Sequence, residues 1–258
     1  MSKLFQILSS RRARRSPYTA ADYAQTNLLF MIDGIENAGI GKHSGSITFW
    51  KDLVGGNDVE LIGHPTIGRD YIHFNSDGGT SQYGQSIANI PAAISSANPT
   101  VLVEIVFRSV APHATLRQTL FMFGSSGSAT LGFFREIGVG DSDTMPLSFG
   151  RERSGSSLAG WRDKAIGFSY LSGVNRYAII LPRDIFVTGP NIQNTVGAPG
   201  GTPFMVACPT AGMTGHTSAN LKLCAVRVYA ERPNYNAGGF MQHNHAIDVS
   251  RFGIEEVS

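Results

Sequence analysis

The chain has 258 residues, of which 42% are hydrophobic and 16% are charged, and it contains 30 glycines. This composition excludes a disordered polypeptide and is typical of a soluble globular protein with many short strands and turns. The net charge of +2 comes from residues 1–15, which hold five basic side chains and no acid and leave 16 basic and 19 acidic residues elsewhere. A body with a charge of −3 lacks the basic surface expected of a nucleic-acid-binding domain.

Residues 1–24 are predicted to form a basic arm outside a single domain that spans residues 25–258. Its apolar stretch "LFQIL" precedes the cluster of four arginines, the reverse of a secretory signal, and no apolar run approaches the roughly 20 residues of a membrane span. Because like charges repel one another, we expect the arm to become ordered only on a partner and to contribute little to the fold. The residues predicted to anchor it are Lys3, Leu4, Phe5, Arg11, Arg12, Arg14 and Arg15.

Beyond the arm, the chain is a series of short segments rich in Val, Ile and Phe and bounded by Gly, Pro, Ser or Asn, which predicts β-strands. These strands begin near residues 27, 46, 71, 100, 118, 129, 176, 203 and 221. In "TVLVEIVFR", residues 100–108, apolar positions alternate with Glu104 and Arg108, as in a half-buried antiparallel strand. One helix is predicted over residues 237–252. An all-β chain with one late helix predicts an antiparallel β-sandwich of the jelly-roll type.

A polar interruption follows the first predicted strand and begins at Asp33. A carboxylate at a strand end beside glycines accepts backbone N–H bonds and fixes a bend, so we predict a structural role for Asp33. Trp50, Asp52 and Leu53 are predicted to anchor the same element. Near the other end of the chain, Cys224 alternates in phase with apolar neighbours, which predicts a small buried side chain and no disulfide with Cys208.

Both ends of the domain resemble one known superfamily. "LLFMIDGIENAGIGKH...ITFWKDLVGGN", residues 28–57, resembles the first strand and loop of the concanavalin A-like lectin/glucanase superfamily, in the laminin-G-like form common in bacterial and bacteriophage surface proteins. "LKLCAVRVYAERP" and "FMQHNHAIDVSRFGI" resemble its last strand, with an arginine-tyrosine ending, and the closing helix with an Asn, an Asp and an Arg-Phe. The resemblance covers about residues 25–254. It implies a concanavalin A-like jelly roll.

The enzymes of this superfamily commonly place carboxylates as Glu-x-Asp-x-Glu on one strand face, because retaining hydrolysis needs two carboxyl groups about 5 Å apart. We find no such triplet and predict a protein that is not an enzyme. Asp141 and Asp143 have suitable parity, but "GVGDSDTMP" is predicted to be a loop, where the pair suits a cation such as calcium, or solvent. No cofactor is expected, with calcium at this pair as the alternative.

The sequence also lacks the motifs of two other enzyme classes, nucleases and serine hydrolases. The string "HNH" at 243–245 places its histidines two positions apart on a predicted helix, where they do not share a metal. The Gly-x-Ser-x-Gly motif of serine hydrolases does not occur. Neither a nuclease nor a serine hydrolase is expected.

Glycan sites combine an exposed aromatic ring with planar polar side chains. The loop "LAGWRDKAIGF" offers Trp161, Arg162 and Asp163, and "GPNIQN" in the long loop 184–203 offers Asn191 and Asn194. Trp161 could equally plug the edge of the sandwich, so both roles stay open.

A lectin-like sandwich with no export signal is expected in a virion, which assembles in the host cytoplasm and needs none. The sequence therefore predicts a structural or display protein of a bacteriophage virion. Its expected partners are other virion or surface-assembly proteins, bound through the arm, and a cell-surface glycan; nucleic acid is not expected. The alternatives are a glucanase-type glycoside hydrolase and a purely structural virion protein without glycan affinity.

Overall fold

The structure is a computed structural model that describes part of the chain. The described residues are 16–36, 47–75, 82–87, 100–108, 117–123, 131–135, 147–150, 164–170, 178–180, 186–188, 204–207, 216–218, 220–229 and 237–253.

These residues form sixteen strands, a short 3-10 turn at Ala20–Asp22 and one α-helix, α1, at Ala237–Phe252. The strands are β1 Leu28–Asp33, β2 Phe49–Trp50, β3 Val59–Ile62, β4 Thr66–Ile67, β5 Ile72–Phe74, β6 Tyr83–Ser86, β7 Thr100–Arg108, β8 Arg117–Phe123, β9 Leu131–Arg135, β10 Leu147–Gly150, β11 Lys164–Tyr170, β12 Ala178–Ile180, β13 Phe186–Thr188, β14 Phe204–Val206, β15 His216–Ser218 and β16 Leu221–Tyr229.

The strands form two sheets. In the first sheet the order is β13-β12-β11-β7-β16-β5-β4, with β1 also paired to β16. In the second sheet the order is β10-β9-β8-β14-β6-β3-β2, with β15 also paired to β8. The described pairs are antiparallel except β15 with β8, which is parallel. The predicted all-β architecture with one C-terminal helix is confirmed.

The core between the sheets is built from apolar side chains of both layers. The ring of Phe30 on β1 lies 4.5 Å from that of Phe204 on β14, which lies 4.9 Å from Phe121 on β8. All three rings are fully buried. Since Phe30 belongs to the first sheet and its two partners to the second, these contacts hold the layers face to face.

Helix α1 covers the outer face of the first sheet. Met31 alternates with the inward-facing Phe30 and packs in one apolar cluster with Ile247 of the helix. Further along, Phe252 packs against Val106 of β7 and Cys224 of β16. This contact confirms the prediction that Cys224 is a small buried side chain; Cys208 lies outside the described residues.

The structure describes the last part of the predicted arm, residues 16–24. Residues 16–24 lie on the domain, and Ala20 and Tyr23 are buried in the same cluster as Ile247. A capping box between Thr19 and Asp22 fixes the turn that carries Ala20 into this cluster. Residues 1–15, which hold the five basic side chains of the predicted arm, lie outside the described residues.

Candidate functional site

The site residues predicted from the sequence lie outside the described residues. These are Trp161, Arg162, Asp163, Asn191 and Asn194 for the glycan, Asp141 and Asp143 for a cation, and Lys3, Leu4, Phe5, Arg11, Arg12, Arg14 and Arg15 for the anchor. They stay predictions. The loop predicted around Trp161 ends earlier than expected, because β11 begins at Lys164.

Asp33 has the structural role that its position predicts. Its Oδ1 accepts the backbone N–H of Ile35 at 2.9 Å and that of Glu36 at 3.1 Å. The adjacent Gly34 lies so close to the backbone of Asp70 that a Cβ atom would come within 2.5 Å of that carbonyl oxygen. The bend after β1 therefore requires both residues, and the carboxylate of Asp33 is fully buried in it.

Asp52 anchors the loop after β2. Its carboxylate accepts four backbone N–H bonds, from Met31 at 3.1 Å, Val54 and Gly55 at 3.0 Å and Asn57 at 2.9 Å. Four donors occupy the lone-pair sites that a cation would need. The predicted anchoring role of this segment is confirmed.

A buried ion network lies between the first sheet and α1. Arg227 of β16 donates through Nε to Glu104 of β7 at 2.7 Å, and through Nη1 and Nη2 to Asp248 of α1 at 3.0 and 2.6 Å. All three side chains are fully buried. Burial lowers the pKa of Arg227, but Asp248 and Glu104 more than offset this effect and raise it well above its ordinary value. The guanidinium therefore stays charged and joins helix to sheet.

Neutral groups complete this network. Asn244 donates to Glu104 at 2.8 Å and to the hydroxyl of Tyr229 at 3.1 Å. The hydroxyl of Tyr23 donates to Asp248 at 2.7 Å. Burial raises the pKa of both tyrosines, so both hydroxyls stay protonated. A contact across 225 positions of sequence thus fixes the N-terminal segment to α1.

A second buried cation closes the end of the helix. Nη2 of Arg251 donates to Asp33 at 2.9 Å and to Glu36 at 3.1 Å, and Glu36 also accepts the N–H of Ala20 at 2.7 Å. Burial raises the pKa of Asp33 above its ordinary value of 3.8, and the nearby Arg251 offsets only part of this rise.

The raised pKa of Asp33 predicts a pH dependence with a definite sign. The folded state binds this proton more tightly than the unfolded chain, so the contribution of Asp33 to stability improves as the pH falls through the raised pKa toward 3.8. We expect the free energy of unfolding of the wild type, relative to that of Asp33→Asn, to increase as the pH is lowered from about 7 to about 4. Urea titrations at each pH measure this difference.

Asp22 provides the control with the opposite sign. Hydrogen bonds from the N–H and hydroxyl of Thr19 lower its pKa below 3.8. The stability that the wild type gains relative to Asp22→Asn is then fully present above pH 3.8, and it is lost as the pH falls through the lowered pKa of Asp22. If the wild type instead loses stability relative to Asp33→Asn as the pH falls from about 7 to about 4, the pKa of Asp33 is not raised in the folded state.

The buried polar layer does not offer a catalytic site. Asp33, Glu104 and Asp248 are fully buried, so a substrate does not reach their oxygens. In the part of the chain that the structure describes, no group of three or more His, Cys, Asp or Glu side chains is placed to hold a metal ion. The layer is a structural closure of the domain.

The second sheet presents a different kind of surface on its outer face. Phe49 of β2 lies opposite Glu60 of β3, which lies opposite Gln85 of β6, and Ile62 lies opposite Tyr83 in the next row. We call this surface the β2–β3–β6 face, and it comprises Phe49, Glu60, Ile62, Tyr83, Gln85 and Ile87.

The burial pattern shows that this face points outward. Trp50, Val59 and Ser86, which alternate with its residues, are buried. On the face itself, Phe49 is 45% exposed and Ile87 is 57% exposed, while Glu60 is open to solvent. An exposed ring, a carboxylate and an amide therefore stand side by side. Sequence reasoning missed this face because β3 and β6 were not predicted as strands.

The fold defines a mainly antiparallel two-sheet protein closed by a C-terminal helix. It is similar to Trypanosoma rangeli sialidase in complex with sialic acid, with 16% identity and a TM-score of 0.56, over 91% of this chain and 35% of that chain. It is also similar to the binding domain of Botulinum neurotoxin DC in complex with rat synaptotagmin II, with 10% identity and a TM-score of 0.55, over 88% of this chain and 52% of that one. The structure of the same toxin domain in complex with SialylT has 9% identity to this chain and a TM-score of 0.54, over 85% of this chain and 51% of that chain.

The chain thus spans about a third of the sialidase and about half of the toxin domain. At these identities the likeness concerns the all-β fold. No family model and no curated protein matches the chain. Within the described ranges, no helix has the length and apolar character needed to cross a membrane.

Proposed function

We propose that the chain is a non-enzymatic display protein whose concanavalin A-like jelly-roll domain binds a glycan through the β2–β3–β6 face. In this proposal the domain belongs to a bacteriophage virion and is attached to it by the basic residues at the N-terminus. The observation that carries the glycan-binding part is the row formed by Phe49, Glu60 and Gln85.

The chemistry of this row suits a sugar. The C–H groups of a pyranose ring pack on an aromatic face, and its hydroxyls bond to planar amide and carboxylate groups. Phe49 supplies the ring, Gln85 supplies both a donor and an acceptor, and Glu60 supplies acceptors. Successive residues of the row lie on neighbouring strands, about 4.8 Å apart, so one ligand reaches more than one of them. The sialic acid and SialylT complexes of the two similar proteins support a glycan as the ligand.

The position of the N-terminal segment supports display. The hydroxyls of Ser16 and Ser250 lie 2.8 Å apart, and Nε2 of His243 lies 2.8 Å from the carbonyl oxygen of Asp22. Both contacts hold the segment on α1, which covers the first sheet, whereas the β2–β3–β6 face is the outer surface of the second sheet. The basic arm therefore joins the domain on the side opposite to the proposed glycan surface.

One feature of β3 favours a glycoside hydrolase as the second candidate. Asp58, which directly precedes this strand, is in phase with Glu60 on it, as the carboxylates of glucanases are with one another. However, Asp58 accepts the N–H of Asp52 at 3.1 Å and binds Lys51 at 2.8 Å, and the next position in phase is Ile62. A loop anchor explains Asp58, so we favour binding without turnover. Release of reducing sugar that is lost in Glu60→Gln would favour the hydrolase instead.

Phe49→Ala is expected to weaken glycan binding at least about tenfold, because it removes the stacking surface. The free energy of unfolding should change by no more than about 0.5 kcal/mol, since the ring is exposed. A glycan array with the full chain identifies the ligand, and calorimetry on the best binder measures the loss.

Tyr18→Ala is the matched control. Tyr18 is also an exposed aromatic ring, at 40%, but it lies in the N-terminal segment on the other side of the domain. The Tyr18→Ala variant should bind glycan with the affinity of the wild type. Equal binding by Phe49→Ala and the wild type would show that the β2–β3–β6 face is not the site.

A further inference from the structure

The β2–β3–β6 face carries a negative charge, Glu60, that has no ion-pair partner among the described residues. Glu60 is exposed and stands between Phe49 and Gln85, the two residues best suited to a sugar. Beside this row, Lys51 is in phase with Phe49 along the chain, and its Nζ lies 2.8 Å from the carboxylate of Asp58. The lysine therefore neutralises Asp58 and leaves the charge of Glu60 without a counterion among the described residues of these strands.

Recognition of a sugar carboxylate is favoured by the opposite arrangement, a positively charged partner. Proteins bind carboxylates with arginine, which forms two parallel hydrogen bonds, or with a lysine ammonium group. The residues of this face include no arginine, and the neighbouring Lys51 already has a carboxylate partner, Asp58. A ligand carboxylate stacked beside Phe49 would lie next to Glu60, where like charges repel.

We infer that the ligand of the β2–β3–β6 face is a neutral saccharide, one without sialic acid or uronic acid in contact with Phe49. The inference rests on the proposed glycan-binding function. It separates this chain from the similar sialidase, whose complex contains sialic acid. Glu60 then has a positive role, because its oxygens accept hydrogen bonds from sugar hydroxyls, which a neutral sugar presents without a competing charge.

The test compares matched oligosaccharide pairs that differ by one terminal sialic acid or by oxidation of one sugar to its uronic acid. The full-length chain is titrated with both members of each pair. At low salt we expect the neutral member to bind at least about tenfold more tightly than the charged member. The ratio should fall as salt is raised, because exposed charges are screened.

Glu60→Gln keeps the size of the side chain and removes its charge. We expect this variant to bind the charged member more tightly than the wild type does, so that the ratio falls toward one. Equal or tighter binding of the charged members by the wild type would overturn the inference and leave glycan binding intact. Failure of every neutral and charged saccharide to bind would overturn the proposed function itself.

Discussion

Arg227→Met is expected to lower the free energy of unfolding by about 3 to 5 kcal/mol. The substitution keeps an unbranched side chain of similar length but leaves two carboxylates, Glu104 and Asp248, buried beside each other without a cation. For a domain of this size, such a loss lowers the melting temperature by about 6 to 20 °C. Thermal and urea unfolding of the full chain measure it.

Two further variants show whether the loss comes from the network. Lys51→Met removes a cation from the exposed ion pair with Asp58 and should cost no more than about 1 kcal/mol. Adding Glu104→Gln and Asp248→Asn to Arg227→Met removes the uncompensated charges and should recover part of the stability. If Arg227→Met costs no more than the exposed control, the network does not hold α1 on the sheet.

The long strands and the helix were predictable because a hydrophobic pattern that runs over many residues gives a clear signal in the sequence. β7 and β16 are each nine residues long and rich in Val, Ile and Leu, and both strands occupy the predicted positions, as does α1. β6 gave no such signal, since two of its inward positions are Gly84 and Ser86. The glycine is required there, because a Cβ atom would lie 2.7 Å from the Cγ1 atom of Val59. Tight packing between strands thus removed the apolar residue that would have revealed the strand.

The role of Glu104 was not predictable from its own strand. In the alternation of β7, a charged residue among apolar ones indicates a solvent-facing position, and a half-buried strand was predicted. The structure buries Glu104 completely, because α1 supplies Arg227 with a second carboxylate and covers both. The resemblance did mark the arginine-tyrosine ending of β16 and the Asn, Asp and Arg-Phe of the helix. Their partners Glu104 and Tyr23, more than a hundred positions away from Arg227, became evident only in three dimensions.

The N-terminal segment shows the limit of charge as a guide to domain boundaries. The cluster of arginines ends at Arg15, and apart from the exposed Tyr18 the residues after it are small or polar until Tyr23. A single buried tyrosine forms no periodic hydrophobic pattern, so the sequence around it does not indicate a core position. Its neighbours Met31, Tyr229 and Ile247 come from three different elements, so their joint cluster leaves no local signal.

Two deletions separate the arm from the part of the N-terminus that belongs to the domain. Removing residues 1–15 should leave the melting temperature nearly unchanged, because five basic side chains without an acid repel one another and are expected to contribute little to the fold. Removing residues 1–24 should cost about 3 to 5 kcal/mol, the usual loss for a large buried aromatic side chain, since Tyr23 is 2% exposed. Both deletions should abolish incorporation into the proposed assembly, because both remove the basic arm.

Tyr23→Phe resolves how the segment is held. The variant keeps the ring in the apolar cluster and loses only the hydrogen bond to Asp248, so about 1 to 3 kcal/mol should be lost. Incorporation should then be normal, because the arm is intact and the domain is folded at working temperature. The deletion of 1–15 isolates attachment, Tyr23→Phe isolates the buried contact, and the deletion of 1–24 combines the two losses. Normal incorporation after removal of residues 1–15 would show that the arm is not the anchor, and an unchanged melting temperature after removal of residues 1–24 would show that the segment does not stabilise the domain.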